Sequence, residues 1–242
     1  MNENEQKKIL PTFGGSFDHG WNTMMKYFLI LLLVVIVVGI IMAPMQFGNL
    51  NFKPEHFDWD FEHFEFFTGG LAVFGILAFI LGIFALAYSL LVVPVFKYGG
   101  DMMFVHAARG VRPEFETLVR GFRENYLYIV LANLLTVALV MLGIIFLFVP
   151  GIIIGCRLAF VSYLVMDKNM DPIVAVEESW KLTRGHGWTI FFMGIISFFL
   201  FIIGLALLFV GVFPALIWIK SSFASLYEAV LIEKGTNTEV IK

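Results

Sequence analysis

FVPGIIIGCRLAFVSYLVMDKNMDPIVAVEESWKLTRGHGWTI, residues 148–190, decides the fold class of the chain. Pro150-Gly151 leads into an apolar helix that carries Arg157 in its middle. That helix ends on the charged triplet Asp167-Lys168-Asn169, after which Asp171-Pro172 opens a short amphipathic segment. Asp171 is a good N-cap and Pro172 a good first helical residue. The segment delivers Trp180 and Trp188 to the next apolar run. The stretch reads as the second leg of a membrane hairpin, its exit into water, and a helix lying at the interface.

The rest of the composition agrees. The sequence is 60% hydrophobic and 14% charged, against about half apolar and a quarter charged in soluble domains. The reading is an integral membrane protein, residues 1–242 forming one polytopic domain. A net charge of -3 without a basic cluster gives no sign of nucleic acid. Cys156 is the sole cysteine, so an internal disulfide is excluded and thiol-ligated metal is not expected. The first 26 residues are polar and mixed in charge, and the apolar run after them has no A-x-A-like site. The first helix is therefore expected to remain as an anchor rather than be cleaved.

A span needs about 20 mainly apolar residues. The runs 27–46, 71–96, 126–149, 151–167, 188–209 and 212–232 qualify, giving an all-α bundle of six transmembrane helices. Pro150-Gly151 and the Gly211/Pro214 region are expected to form the tight links at 149–151 and 210–212. Loop 47–70 carries Lys53 against Glu55, Asp58, Asp60, Glu62 and Glu65. Segments 97–125 and 168–187 carry Lys97, Arg109, Arg112, Arg120, Arg123, Lys168, Lys181 and Arg184. Cation-bearing loops belong in the cytoplasm. Both termini are then expected inside and the acidic aromatic loop outside.

Three helix ends read alike: Ala108-Arg109-Gly110, Asp167-Lys168-Asn169 and Glu233-Lys234-Gly235. In each a cation complements the helix dipole and a Gly or Asn follows that can take the left-handed cap. Three apolar-faced segments precede the odd-numbered spans. They run from Ser16 (Phe17, Trp21, Met24), from Pro113 (Phe115, Leu118, Phe122) and from Asp171 (Ile173, Val176, Trp180). Spacings of three and four place such residues on one helix face. The pattern suggests three cytoplasmic amphipathic interfacial helices and a three-fold internal repeat, with units of about 16–110, 111–169 and 170–235. Caps and aromatic belts of this kind also occur in multispan proteins without repeats.

The run from Pro150 through Trp188 resembles a family of bacterial six-helix membrane proteins that includes YciC-type proteins and the membrane domain attached to some glycerophosphodiester phosphodiesterases. The matching residues are Pro150, Arg157, Phe160, Tyr163, Asp167, Pro172, Ala175, Ser179-Trp180, Thr183-Arg184-Gly185-His186 and Trp188, within roughly a fifth of the chain. The resemblance implies a protein of the bacterial cytoplasmic (inner) membrane. No phosphodiesterase domain accompanies it here, so that activity is not implied.

Arg157 and Lys220 are the strongest functional candidates. Arg157 lies 10 residues before Asp167 and Lys220 lies 13 before Glu233, about 15 and 20 Å along a helix. A cation at such depth costs about 2.5–3.5 kcal/mol on insertion scales and needs company. With Glu228 two turns from Lys220 and few other deep carboxylates, an excess of deep positive charge is expected. One reading is a cavity for an anionic lipid headgroup. The other is structural, with Arg157 bonded to helix-end carbonyls or to Glu228 and Lys220 snorkelling outward.

His56 and His63, with the neighbouring acids of EHFDWDFEHFEFF, are weak metal candidates, and a plain interfacial belt explains the segment as well. Ser221, Ser222 and Ser225 suit close helix packing better than catalysis. There is no H-E-x-x-H, Walker or G-x-G-x-x-G pattern. Trp21, Phe122, Trp180 and Trp188 are the expected interfacial anchors. A wet interfacial position is the default for His19, His106 and His186.

The functional expectation is a non-enzymatic membrane protein without cofactor that binds membrane lipids or a membrane protein partner in envelope maintenance or assembly. The alternative is a transporter or channel for an anionic or amphiphilic small molecule that uses Arg157 and Lys220.

Overall fold

A computed structural model describes residues 11–47, 64–207 and 210–235. The described chain is helical: α1 Phe13–Phe47, α2 Phe64–Leu91, α3 Val93–Ala108, α4 Glu116–Arg123, α5 Tyr126–Phe146, α6 Phe148–Arg157, α7 Val161–Lys168, α8 Pro172–Leu182, α9 Gly187–Ala206 and α10 Val212–Gly235. Among the described residues six segments are long and apolar enough to cross a membrane: 13–43, 75–108, 126–146, 149–168, 187–206 and 212–234. This is the make-up of a multi-pass membrane protein. Most of the acidic aromatic loop, with His56 and His63, lies outside the described residues.

Local chemistry sets the helix ends. Thr12 Oγ1 accepts the Gly15 N–H at 3.3 Å, so α1 is capped four residues before the expected Ser16. Helical dihedrals lapse within α1 at Tyr27, whose hydroxyl donates to the Gly110 carbonyl at 2.7 Å. Asp171 caps α8 by accepting the Ile173 N–H at 3.1 Å, with Pro172 following. Gly110 and Asn169 take positive φ at the ends of α3 and α7.

Three expectations about the spans are corrected. Residues 71–96 were expected to be one span, with 97–125 beyond it. The apolar run instead continues through α3, buried on nearly every side, to Ala108, the helix end that Ala108-Arg109-Gly110 signals. Apolar exposure changes at Val92: Ile76 to Leu91 face outward, whereas Val95, Met103, Phe104 and Val105 are covered. Second, the link expected at 149–151 sits at Leu147, the extended residue between α5 and α6. Pro150 lies inside the first turn of α6, where its missing N–H has no intrahelical acceptor to lose.

Third, the helix expected over 151–167 is broken at residues 158–160. The Arg157 carbonyl there accepts the Ser179 hydroxyl at 2.8 Å and the Thr183 hydroxyl at 3.3 Å. The Phe160 N–H donates to Ser179 Oγ at 3.3 Å. Side chains of α8 thus replace the helical partners of the break, which lowers the cost of leaving the ladder.

The second legs of the hairpins form the middle. Phe104 of α3, Leu164 of α7, and Ile217, Leu226 and Tyr227 of α10 are fully covered. The flanks of α2, α5 and α9 expose Phe79, Phe84, Leu127, Phe146, Phe198 and Phe199, as suits lipid contact. Small residues bring backbones together. A Cβ on Gly20 of α1 would lie 2.7 Å from Ser222 Cα of α10, so the expected packing role of the serine cluster is met at Ser222. A Cβ on Gly99 of α3 would lie 2.7 Å from the Leu118 carbonyl of α4.

That contact yields a test. Gly99→Ala is expected to cost about 1–3 kcal/mol through overpacking. Gly82→Ala, whose added carbon meets nothing within 4 Å, is expected to leave stability unchanged. Thermal unfolding in mild detergent reads both.

Candidate functional site

Asp101 of α3 and Arg109, the residue that follows its last turn, meet two charged residues of α10. Asp101 and Arg109 stand eight positions apart, as do Lys220 and Glu228, with the signs reversed. Eight residues are two helical turns plus a little, about 12 Å. Lys220 Nζ reaches Asp101 Oδ1 at 2.5 Å. Arg109 Nε donates to Glu228 Oε1 at 2.6 Å. α7 joins the second tier: Arg109 clasps both oxygens of Asp167 at 2.6 and 2.7 Å, and the Tyr227 hydroxyl donates to Asp167 Oδ2 at 3.0 Å. The carboxylates are covered, Asp101 and Asp167 at 7% side-chain exposure and Glu228 at 11%. Burial works against the charge on Arg109, but its hydrogen bonds to Asp167 and Glu228 outweigh that and hold the guanidinium charged more firmly than usual.

This overturns the expected excess of deep positive charge. Across the two tiers three carboxylates face two cations, and Lys220 is paired rather than snorkelling outward. Glu228 belongs to Arg109, not to Arg157. The three candidate ligand residues Arg157, Lys220 and Glu228 are therefore not one site.

Arg157 sits apart, half-buried where α6 breaks. One of its terminal nitrogens donates to the Thr183 carbonyl at 2.8 Å, and its guanidinium carbon stands 5.9 Å from the Trp180 ring centre. Lys234 reaches the same turn, donating at 2.8 Å to each of the carbonyls of Lys181, Leu182 and Arg184. Two cations thus cover the orphan carbonyls at the end of α8. His186 Nε2 lies 3.1 Å from Glu233.

A groove of about 760 Å³ runs beside this knot between α6 and α9, with Gly155, Cys156 and Ala159 on one wall, Gly194 and Phe198 on the other, and Phe223 of α10 at the floor.

The expected anchors are spread over the surface rather than gathered. Trp21 packs edge-on against Trp218, Phe122 against Phe96 and Tyr126, and Trp180 beside Arg157. Trp188 is 73% exposed and stacks on Phe192. His19 is not merely wet, since its Nδ1 lies 2.8 Å from Ser225 Oγ. That pair is not a nucleophile with its base. Ser225 is fully buried and gives its proton to the Ser221 carbonyl at 2.7 Å. Among the described residues no cluster of His, Cys, Asp and Glu could hold a metal ion.

The sequence reading passed over the roles of Arg109 and Asp167, treating them as cap signals. The available signal was the matched eight-residue spacing with inverted sign. Ser179 and Thr183 were visible only within the family resemblance. Their i,i+4 spacing puts both hydroxyls on the face of α8 that meets the break. Comparison with family models, curated proteins and solved structures finds no match.

Asp167→Asn leaves Arg109 with half its clasp and with Glu228 as its counter-charge, and is expected to destabilise by about 1–3 kcal/mol. Asp101→Lys and Lys220→Asp are each expected to destabilise alone, and the double exchange to recover much of the loss. Denaturant titration in detergent measures all four variants.

Proposed function

We propose that this is a non-enzymatic multi-pass protein of the bacterial cytoplasmic membrane that binds lipid or a membrane partner in envelope maintenance or assembly. The observation that carries this reading is the closure of the deep charges on one another. Lys220, Arg109, Asp101, Asp167 and Glu228 are consumed in pairs that tie helices together. A transport path for an anion needs unpaired cations in series, whereas Lys220, its side chain 38% exposed, is held by Asp101 and Arg157 stands apart from it. A general acid or base must reach its substrate, and the three carboxylates are buried against cations.

The same arrangement supports a three-fold build. In each proposed unit a short helical stretch (13–26, α4, α8) precedes the first leg (the rest of α1, α5, α9). The second legs then supply Arg109, Asp167 and Glu228, one residue each to a single cluster. The short stretches act as amphipathic interfacial helices. α4 exposes Phe115 and Val119 just before and within it, and α8 exposes Ile173 and Val174. The cation-rich ends face the cytoplasm together with both termini, and the acidic aromatic loop faces outward.

Protein extracted gently from its own membrane is expected to retain lipid in native mass spectrometry and to carry no phosphate or organic-anion flux in proteoliposomes. A flux that Lys220→Gln abolishes makes the protein a transporter instead. For orientation, an impermeant maleimide added to intact cells is expected to label Trp59→Cys in a Cys156→Ser background. Lys168→Cys is expected to react only after permeabilisation, and the reverse pattern inverts the topology.

A further inference from the structure

We propose that the groove between α6 and α9 is the seat of an anionic phospholipid, an acyl chain along the groove and the phosphate on Arg157. The proposal rests on the lipid-binding reading above and gives it a site and a ligand class.

The groove is apolar, sizeable and open on the lipid side. Its α9 wall is a single helix face: Ile190, Gly194 and Phe198 recur at four-residue spacing, which spans about 12 Å of helix. Phe198 and Phe199 are 62% and 57% exposed, so the groove opens where lipid tails lie. Glycines keep it open. A Cβ added at Gly155 or Gly194 meets nothing within 4 Å, so neither glycine is required by helix packing. An unfilled apolar slot on a lipid-facing surface is filled by acyl chain at no desolvation cost.

A charge marks one end of it. Arg157 lies in sequence between the groove residues Cys156 and Ala159, and a Cβ on Gly187, the first residue of α9, would stand 3.8 Å from its guanidinium carbon. The guanidinium has five N–H donors. Among the described residues its hydrogen-bond acceptor is the Thr183 carbonyl, through one nitrogen. The remaining donors, in a planar fork, match two phosphate oxygens. Two further features favour an anion over a zwitterion. The N-terminus of α9 carries partial positive charge, and Lys234 converges with Arg157 on the 181–184 turn. Trp188, exposed beside this end, suits the headgroup boundary. Among the clustered cations, Arg109 and Lys220 have carboxylate partners and Arg157 has a carbonyl. That difference points to Arg157 as the group that takes an external anion.

The test is native mass spectrometry of the full chain in mild detergent, titrated separately with dioleoyl phosphatidylglycerol, dioleoyl phosphatidylcholine and glycerol 3-phosphate. Phosphatidylglycerol is expected to bind in preference to phosphatidylcholine, and glycerol 3-phosphate not to bind. Arg157→Gln is expected to weaken phosphatidylglycerol binding about tenfold, the scale of a lost charge-assisted hydrogen bond. Gly194→Leu fills the groove without touching Arg157 and is expected to weaken it similarly. Gly39→Leu, on α1 with nothing within 4 Å of the added carbon, is the control and is expected to bind as wild type. If phosphatidylglycerol binds the wild type but neither Arg157→Gln nor Gly194→Leu weakens it, the site is wrong and the lipid-binding reading stands. Equal binding of phosphatidylcholine overturns the anionic assignment, and binding of glycerol 3-phosphate overturns the lipid one. A wild type that retains no lipid of either class overturns this site and the lipid-binding reading together, leaving the membrane-partner one.

Discussion

The architecture depends on a register constraint between α3 and α10. Asp101 pairs with Lys220 and Arg109 with Glu228, and both pairs have a sequence separation of 119 residues. Equal separations mean that the two helices run parallel and in step across both tiers. A slide by one turn would bring Asp101 toward Ala224 and leave Asp101, Lys220 and Glu228 without partners in surroundings where each is expensive, Arg109 keeping only Asp167. Apolar packing alone cannot supply that discrimination, since one Leu or Phe against lipid or protein is energetically much like another. The ion pairs themselves add little net stability, because desolvation offsets most of their attraction. Their effect is to make every wrong alignment costly.

Arg109 extends the constraint to the middle hairpin. Its fork geometry lets it meet two oxygens of Asp167 on α7 while Nε faces Glu228 on α10. A lysine, with a single point charge, could not hold both carboxylates in defined directions. Tyr227 adds a hydroxyl to Asp167 and stacks its ring on Tyr163 at 4.9 Å, so the polar contact and the apolar core are parts of one surface. Three second legs, far apart in sequence, are thereby fixed at the end where their charges lie. The first legs have less to specify. α5 and α9 turn long apolar faces outward and are held chiefly through small-residue contacts and through their short preceding helices.

Much of this was legible in the amino-acid order, and the parts that were not share a cause. Hydropathy runs report the spans because lipid imposes a length and a composition on each segment independently. Asp171-Pro172 reports the start of α8 because capping is local. The break at 158–160 was invisible. Leu158, Ala159 and Phe160 carry no proline or glycine signal, and the groups that permit the break, Ser179 and Thr183, come from another helix. The surroundings of Arg157 were hidden for the same reason. Counting rise from Asp167 assumes a straight helix, whereas Arg157 meets the end of α8 and the start of α9. Pairing was misread because counter-charges were sought nearby, when both salt bridges to α10 span half the chain.

The break also explains why Arg157 differs from its neighbours in charge. An uninterrupted helix from Phe148 to Lys168 carries each residue's direction on to the next turn, so Arg157 would be aligned with Val161 and Leu164 and drawn into the covered centre. Uncoupling α6 from α7 lets α7 turn Tyr163, Leu164 and Asp167 toward α3 and α10 while α6 faces α9. Arg157, the last residue of α6, is left at that second interface, beside Trp180 and Gly187 and outside the ion-pair tiers. The hydroxyls of Ser179 and Thr183 hold its carbonyl, which fixes the backbone and leaves the guanidinium only one carbonyl to satisfy. A cation placed this way, on rigid backbone at the mouth of an apolar groove, is ordered before any anion arrives, so binding costs little further conformational entropy.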